Sequence, residues 1–176
     1  MRTVSDRDNG PVIIRTAIIT LSDKGAKGER EDKSGMVIRD MVAGIGAEVR
    51  HYEVLPDDRE RIVAVLKRHA DSGAIDLILT TGGTGVAPRD VTPEATREVI
   101  DRELPGMSEA MRAESLKKTP HAMLSRAVAG IRKQTLIVNL PGSPRAVREN
   151  LAVILPALTH AIGKIKGDPS DCGALL

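Results

Sequence analysis

Phenylalanine and tryptophan are missing from this chain, and tyrosine occurs once, at Tyr52. A core must therefore be assembled from Ile, Leu, Val, Met and Ala, and a surface that stacks nucleic-acid bases on aromatic rings is excluded. Cysteine is almost absent as well. The lone Cys172 rules out an internal disulfide and a cysteine-based zinc site, and with four residues after it it misses a prenylation box. No apolar run reaches membrane-spanning length, and residues 1–11 carry no apolar segment such as a signal peptide needs. Net charge is only +2, with Lys and Arg scattered along the chain, which argues against an extended nucleic-acid surface. There is no Ser/His/Asp set, no catalytic Cys and no His cluster; His121 reads as a polar turn residue. The expectation is a soluble, cytoplasmic protein with no membrane or nucleic-acid partner, its 176 residues forming one domain with a sizeable core.

What is present alternates. Residues 1–11 read as a loose leader, 12–163 as a single α/β domain and 164–176 as a polar tail. Strands are predicted at 12–21, at 47–55, at the short apolar run Leu77–Leu79, and at 127–131 and 135–140. The last two are separated by Arg132-Lys133-Gln134 and read as a hairpin. Helices are predicted between them. One is capped by Ser34, turns Val37, Ile38, Met41 and Val42 inward, and stops at Gly44 or Gly46. The next follows Pro56-Asp57-Asp58 and buries Ile62, Val63, Leu66 and Ala70; another is capped by Thr92 with Pro93 at its first position. A methionine stripe marks a core-facing helix over 107–117, and Ser143-Pro144 opens a last helix that Pro156 kinks. Residues 23–33 are almost wholly charged or glycine and read either as a solvated loop or as a flap over a site. The alternation predicts a three-layer αβα domain with a mostly parallel central sheet carrying one antiparallel strand.

The central stretch is Thr80-Thr-Gly-Gly-Thr-Gly85, followed by Pro88-Arg89-Asp90. Glycines at that density after a strand let the backbone turn sharply, approach a ligand closely and aim N–H groups at an anion. No Lys follows the last glycine, so it is not a P-loop, and the spacing does not fit the dinucleotide fingerprint. A second loop, Asn139-Leu-Pro-Gly-Ser-Pro-Arg145, ends at a helix N-terminus that suits a phosphate. If the strands are parallel neighbours, the loops 22–33, 55–58, 80–90 and 139–145 share one sheet edge. That edge then holds two anion cradles beside Asp23, Asp57, Asp58 and Asp90. Carboxylates would repel a bare anion, whereas Mg²⁺ is commonly held between carboxylates and substrate phosphates. Attack of one phosphate on another needs positioning and charge neutralisation but no protein nucleophile, which fits nucleotidyl transfer.

The string Thr80–Gly85 with Pro88-Arg-Asp-Val-Thr-Pro-Glu-Ala-Thr96 resembles the molybdopterin adenylyltransferase family of the MogA/MoaB type, found also as the G domain of gephyrin. Leu21-Ser-Asp23, Asp32-Lys-Ser-Gly35, Leu55-Pro-Asp57, Met123-Leu-Ser-Arg126, Gly130-Ile-Arg132 and Asn139-Leu-Pro-Gly-Ser-Pro144 extend the resemblance, in order, over roughly Ile14 to Leu155. The resemblance implies a homotrimer that adenylates molybdopterin with ATP and Mg²⁺, releases pyrophosphate and passes its product to a molybdate-insertion protein. By residue it implies Asp57 and Asp90 as the catalytic, metal-holding pair. It places Thr81, Gly82, Gly83, Thr84 and Gly85 at a nucleotide or pterin phosphate, Asn139, Pro141, Gly142 and Ser143 on the pterin side, and Ser22 and Asp23 near the nucleotide. Some branches of such a family bind or relay the cofactor without adenylating it, so a non-catalytic molybdopterin-binding protein is the alternative.

Overall fold

β-branched and aliphatic residues with no charge after Arg15 make Ile14–Leu21 the first strand, β1, buried along nearly its whole length. A computed structural model describes residues 13–169; the predicted leader, the last seven residues of the predicted tail and Cys172 lie outside the described residues. After β1 the order is α1 (Asp23–Ala26), α2 (Lys33–Ala43), β2 (Ala47–Leu55), α3 (Arg59–Asp71), β3 (Leu77–Thr81) and α4 (Thr92–Val99). Then come β4 (Arg102–Glu103), α5 (Pro105–Leu116), a 3₁₀ turn (Pro120–Leu124), β5 (Ala129–Arg132), β6 (Thr135–Leu140) and α6 (Pro144–Ile165).

The sheet order is β2-β1-β3-β6-β5-β4. β2, β1, β3 and β6 run parallel, and β5 pairs antiparallel with both of its neighbours. The three-layer fold with one reversed strand is therefore as the alternation predicts. Period-two alternation divides the core. Ile14 and Ile18, Leu77 and Leu79, and Leu136, Val138 and Leu140 face α2, α5 and α6. Ala17, Ile19 and Leu21, Ile78 and Ile137 face α3 and α4 instead. The chain leaves β1 toward β2 on one side and returns to β3 on the other. The carboxyl ends of β1 and β3 thus flank a topological switch point, where open α/β sheets bind ligands.

Several local expectations differ from the structure. The first turn of α2 is capped by Asp32, which accepts from the Gly35 N–H, not by Ser34. Thr92 is inside α4 and caps nothing; Val91 holds the cap position. Part of the charged 23–33 stretch is helical, because Ser22 caps α1 by accepting from Gly25 N–H. β4 has two exposed, charged residues and offers no pattern to read. The hairpin turn is Lys133-Gln134, with Lys133 at φ 51°, so Arg132 belongs to β5.

At the amino end of the sheet Asp76 is buried (side chain 1% exposed) and takes hydrogen bonds from the Arg15 side chain at 2.7 and 3.0 Å and an ion pair from Lys166 at 2.6 Å. Burial pushes its carboxyl up, but the bonds from Arg15 and Lys166 outweigh burial and hold it at about 2. A carboxyl lowered this far from its ordinary range stabilises the fold by about 2 kcal/mol. Because the folded value is the lower one, that stability is full above the ordinary Asp range and is lost as pH falls toward 2. Asp76→Asn should therefore unfold at lower urea than wild type at pH 7, with the two curves converging near pH 2.

Candidate active site

The switch point is open. A cleft of about 820 Å³ lies at the carboxyl ends of the parallel strands. Thr20 to Ser22 reach it from β1, Asp57 from the bend after β2, Thr81, Gly82, Gly83 and Asp90 from the loop after β3, and Gly142 to Pro144 from the loop after β6. Arg30 to Ser34 form the remaining wall. All four loops predicted to share an edge meet here.

The glycine loop is held by its neighbours on every side. Gly82 has φ +101° and Gly83 φ +63°, both in the left-handed region. A Cβ on Gly82 would overlap the carbonyl oxygen of Leu21, and one on Gly83 would overlap Thr92 Oγ1 and lie 3.2 Å from Asp57 Oδ1. The Thr92 hydroxyl, instead of capping, donates to Gly82 O at 3.0 Å, and Thr92 N–H donates to Gly83 O. Thr81 Oγ1 donates to Pro141 O at 2.7 Å and Ser34 Oγ to Gly142 O at 2.7 Å, so the second loop is tied to the first and to α2. Arg126 clamps the far side: its guanidinium donates to Gly85 O at 2.7 Å and Asp90 O at 2.5 Å and pairs with Glu94.

The acidic side is built as a bracket. Asp23 N–H donates to Asp57 Oδ2 and Asp57 N–H to Asp23 Oδ1, each at 3.1 Å. Arg89 then grips Asp23 through both carboxylate oxygens, at 2.6 and 2.7 Å, and donates to Asp57 O at 3.1 Å. That grip holds the Asp23 carboxyl below its ordinary range. Asp57 behaves oppositely. Partial burial pushes its carboxyl up, and the charges of Asp23 and Asp90 push the same way, against Asp23 N–H and Arg89. Asp90 accepts Ala87 N–H at 2.8 Å through Oδ2. Among the described residues no hydrogen bond reaches Oδ1 of Asp57 or of Asp90. Each acid is thus oriented through one oxygen and keeps the other.

Residues 17–160 match the family model described as a probable molybdopterin binding domain. The chain belongs to this family. It is 43% identical over 157 residues to the molybdopterin adenylyltransferase of Helicobacter pylori, covering 88% of this chain and 89% of that one. It is 45% identical over 164 residues to gephyrin of Dictyostelium discoideum, covering 88% of this chain but 23% of that larger protein. Among solved structures, the molybdopterin biosynthesis enzyme MoaB from Thermus thermophilus superposes with a TM-score of 0.83 at 54% identity, covering 90% of this chain and 99% of that one.

Within this molybdopterin-binding family fold the predicted ligand residues separate into two groups. Ser22, Asp57, Thr81, Gly82, Gly83, Asp90, Gly142 and Ser143 line the cleft. Asp23, Thr84, Gly85, Asn139 and Pro141 are not among its lining residues. The Asp23 carboxylate is spent on Arg89 and Asp57 N–H, while Thr84 O, Gly85 O and Pro141 O are acceptors for Arg126 and Thr81. Asn139 is fully buried within the sheet, where its amide donates to Thr80 and Thr96 and accepts Val128 N–H. These residues shape the cleft from behind. Sequence reading assigned no site role to its cations, Arg30 and Lys33, within a run of mixed charge, or to Asp32, whose signal as a cap was its place three residues before Gly35.

The donor set fits Mg²⁺. No group of three or more His, Cys, Asp or Glu able to hold a metal occurs among the described residues, so a protein-only cage is not formed there. Two carboxylates, each with an oxygen to spare, opening on a cleft with backbone N–H groups and cations, suit an ion that completes its octahedron with phosphate oxygens and water.

Proposed function

We propose that this protein transfers the adenylyl group of ATP to molybdopterin in a Mg²⁺-dependent step of molybdenum cofactor biosynthesis, releasing pyrophosphate. The observation that carries it is the pairing of Asp57 and Asp90 in one cleft with the Gly82-Gly83 turn and the Ser143-capped start of α6. Relatives 41–43% identical over most of this chain are molybdopterin adenylyltransferases by name. An oxygen of the molybdopterin phosphate attacks the α-phosphorus of ATP, a new P–O–P bridge forms, and the bond to the β-phosphate breaks to give pyrophosphate. Bound at Asp57 and Asp90, Mg²⁺ would supply neutralisation of the phosphate charge. The chain supplies the rest. Gly82 and Gly83 supply the left-handed turn that lets the backbone line the cleft between Leu21 and Asp57. Arg30, Lys33 and the N–H groups at the start of α2 and α6 add positive potential. No side chain need become a nucleophile.

The assembly we propose is a homotrimer working in the cytoplasm and handing its product to a molybdate-insertion protein. Exposed Val86, Met123 and Leu124, on the segments joined by Arg126, support an oligomeric contact; sedimentation equilibrium checks it. None of the described helices is long and apolar enough to cross a membrane. The deciding assay incubates the protein with ATP, molybdopterin and Mg²⁺ and follows pyrophosphate and adenylyl-molybdopterin. Equimolar formation of both is expected. Tight molybdopterin binding with no pyrophosphate would replace the enzyme with a carrier.

A further inference from the structure

The only aromatic residue of the chain stands just outside the cleft. Tyr52 lies on β2, the edge strand, 41% exposed and absent from the cleft lining. Its hydroxyl donates to Asp32 Oδ2. Thr20 Oγ1 donates to the same oxygen at 2.5 Å, and Gly35 N–H donates to Oδ1 at 2.9 Å. Asp32 does line the cleft, yet both its oxygens are taken by the chain itself, so it is a cap and not a ligand. The arrangement needs a glycine: a Cβ on Gly35 would overlap Asp32 Oδ2, lie 2.5 Å from the Tyr52 hydroxyl and 2.8 Å from its ring. The tyrosine therefore crosses directly over the first turn of α2. That turn carries Lys33, on the cleft wall, and Ser34, whose hydroxyl holds Gly142 O.

A continuous chain of contacts follows, from Tyr52 through Asp32 and the first turn of α2 to the Gly142-Ser143 loop. We propose that Tyr52 is a positioning residue for phosphate binding: by holding Asp32 as the cap it fixes Lys33, the first turn of α2 and, through Ser34, the opposite loop around a substrate phosphate. This rests on the reading of the cleft as a phosphate-handling site. The phenol is well suited to a donor role, because burial and the Asp32 carboxylate both push its ionisation upward. Among the described residues no hydrogen bond links Tyr52, Thr20 or Asp32 to Asp57 or Asp90, so it acts on phosphate placement and not on the acidic pair.

The test uses the full chain and Tyr52→Phe, which keeps the ring and removes the donor. The loss of one bond to a charged acceptor should raise KM for ATP about tenfold, with kcat and the Mg²⁺ dependence changed less than twofold. A second readout is independent of turnover. With one tyrosine in the chain, a ¹³Cζ label gives a single resonance. Titration with inorganic pyrophosphate should shift it saturably in wild type, and Asp32→Asn should shift it without ligand. A wild-type protein that binds pyrophosphate with an unmoved tyrosine resonance, together with an unchanged KM in Tyr52→Phe, overturns the positioning role and leaves the proposed function standing. A wild-type protein that binds neither ATP nor pyrophosphate overturns both.

Discussion

Asp57→Asn and Asp90→Asn are each expected to lower the single-turnover rate of adenylyl transfer by about a hundred- to a thousandfold, the usual cost of removing one preorganised charge-stabilising group. Neither should unfold the protein. An asparagine still offers an acceptor to Asp23 N–H at position 57 and to Ala87 N–H at position 90, so the loops keep their ties. What disappears is the negative charge on the spare oxygen. The two losses should not add: once one acid is gone the cation is no longer held between phosphate and protein, and the double variant should resemble the worse single one. Asp57 should also set a pH response. Burial and the neighbouring Asp23 and Asp90 raise the Asp57 carboxyl, so with falling pH it takes up its proton before an ordinary aspartate would. Mg²⁺ binding needs the carboxylate, so the apparent Mg²⁺ affinity should weaken as pH falls through that raised value. Asp57→Asn should flatten this acid limb. A titration of rate against Mg²⁺ at several pH values measures both effects, and normal turnover by either variant would remove the acid pair from the mechanism.

Why the chain alone places Asp57 and Asp90 on one edge, yet leaves the direction of other side chains unread, has a physical answer. Strands β1, β3 and β6 are buried on both faces, so they appear as continuous apolar runs, and the loops after them must open on one edge once the strands are parallel. That places Asp90 and the glycines on one edge, and Asp57 joins them from the bend after β2, the fourth parallel strand. Side-chain direction is a different matter. Thr92 has the residue type and neighbours of a cap, but the Gly82 carbonyl competes for its hydroxyl and wins. Asn139 sits in a loop motif, yet as the penultimate residue of β6 it points into the face covered by α4, toward Thr96. Asp23 is next to the cleft, and only the arrival of Arg89, 66 residues on, turns it into a bracket. Each of these directions is set by a hydrogen bond between distant residues that local pattern cannot foresee. β4 escaped because two charged residues on an edge carry no periodicity at all.

Adding a single methyl group at Gly82 or at Gly83 should separate folding from chemistry. Both residues have positive φ, which strains any L side chain by about 1 kcal/mol or more. At Gly82 the added carbon runs into the carbonyl oxygen of Leu21, which is backbone at the end of the central strand β1 and cannot swing aside. Relief requires β1 and β3 to part at the point where Thr20 pairs with Thr81. Gly82→Ala should therefore cost about 4 kcal/mol or more, read as a large fall in the urea midpoint. At Gly83 the obstacle is Thr92 Oγ1, a side-chain atom that can rotate away at the cost of its bond to Gly82 O, about 1 kcal/mol. The next atom met is Asp57 Oδ1, at 3.2 Å, the very oxygen left for the cation. Gly83→Ala should stay folded and still lose about a hundredfold in rate, because the methyl group crowds the carboxylate and fills the close approach a phosphate requires. Urea titration and single-turnover pyrophosphate release on the same preparations decide it. A Gly82→Ala protein as stable as wild type, or a Gly83→Ala protein as fast, would mean that the backbone at this turn does not set the walls of the cleft.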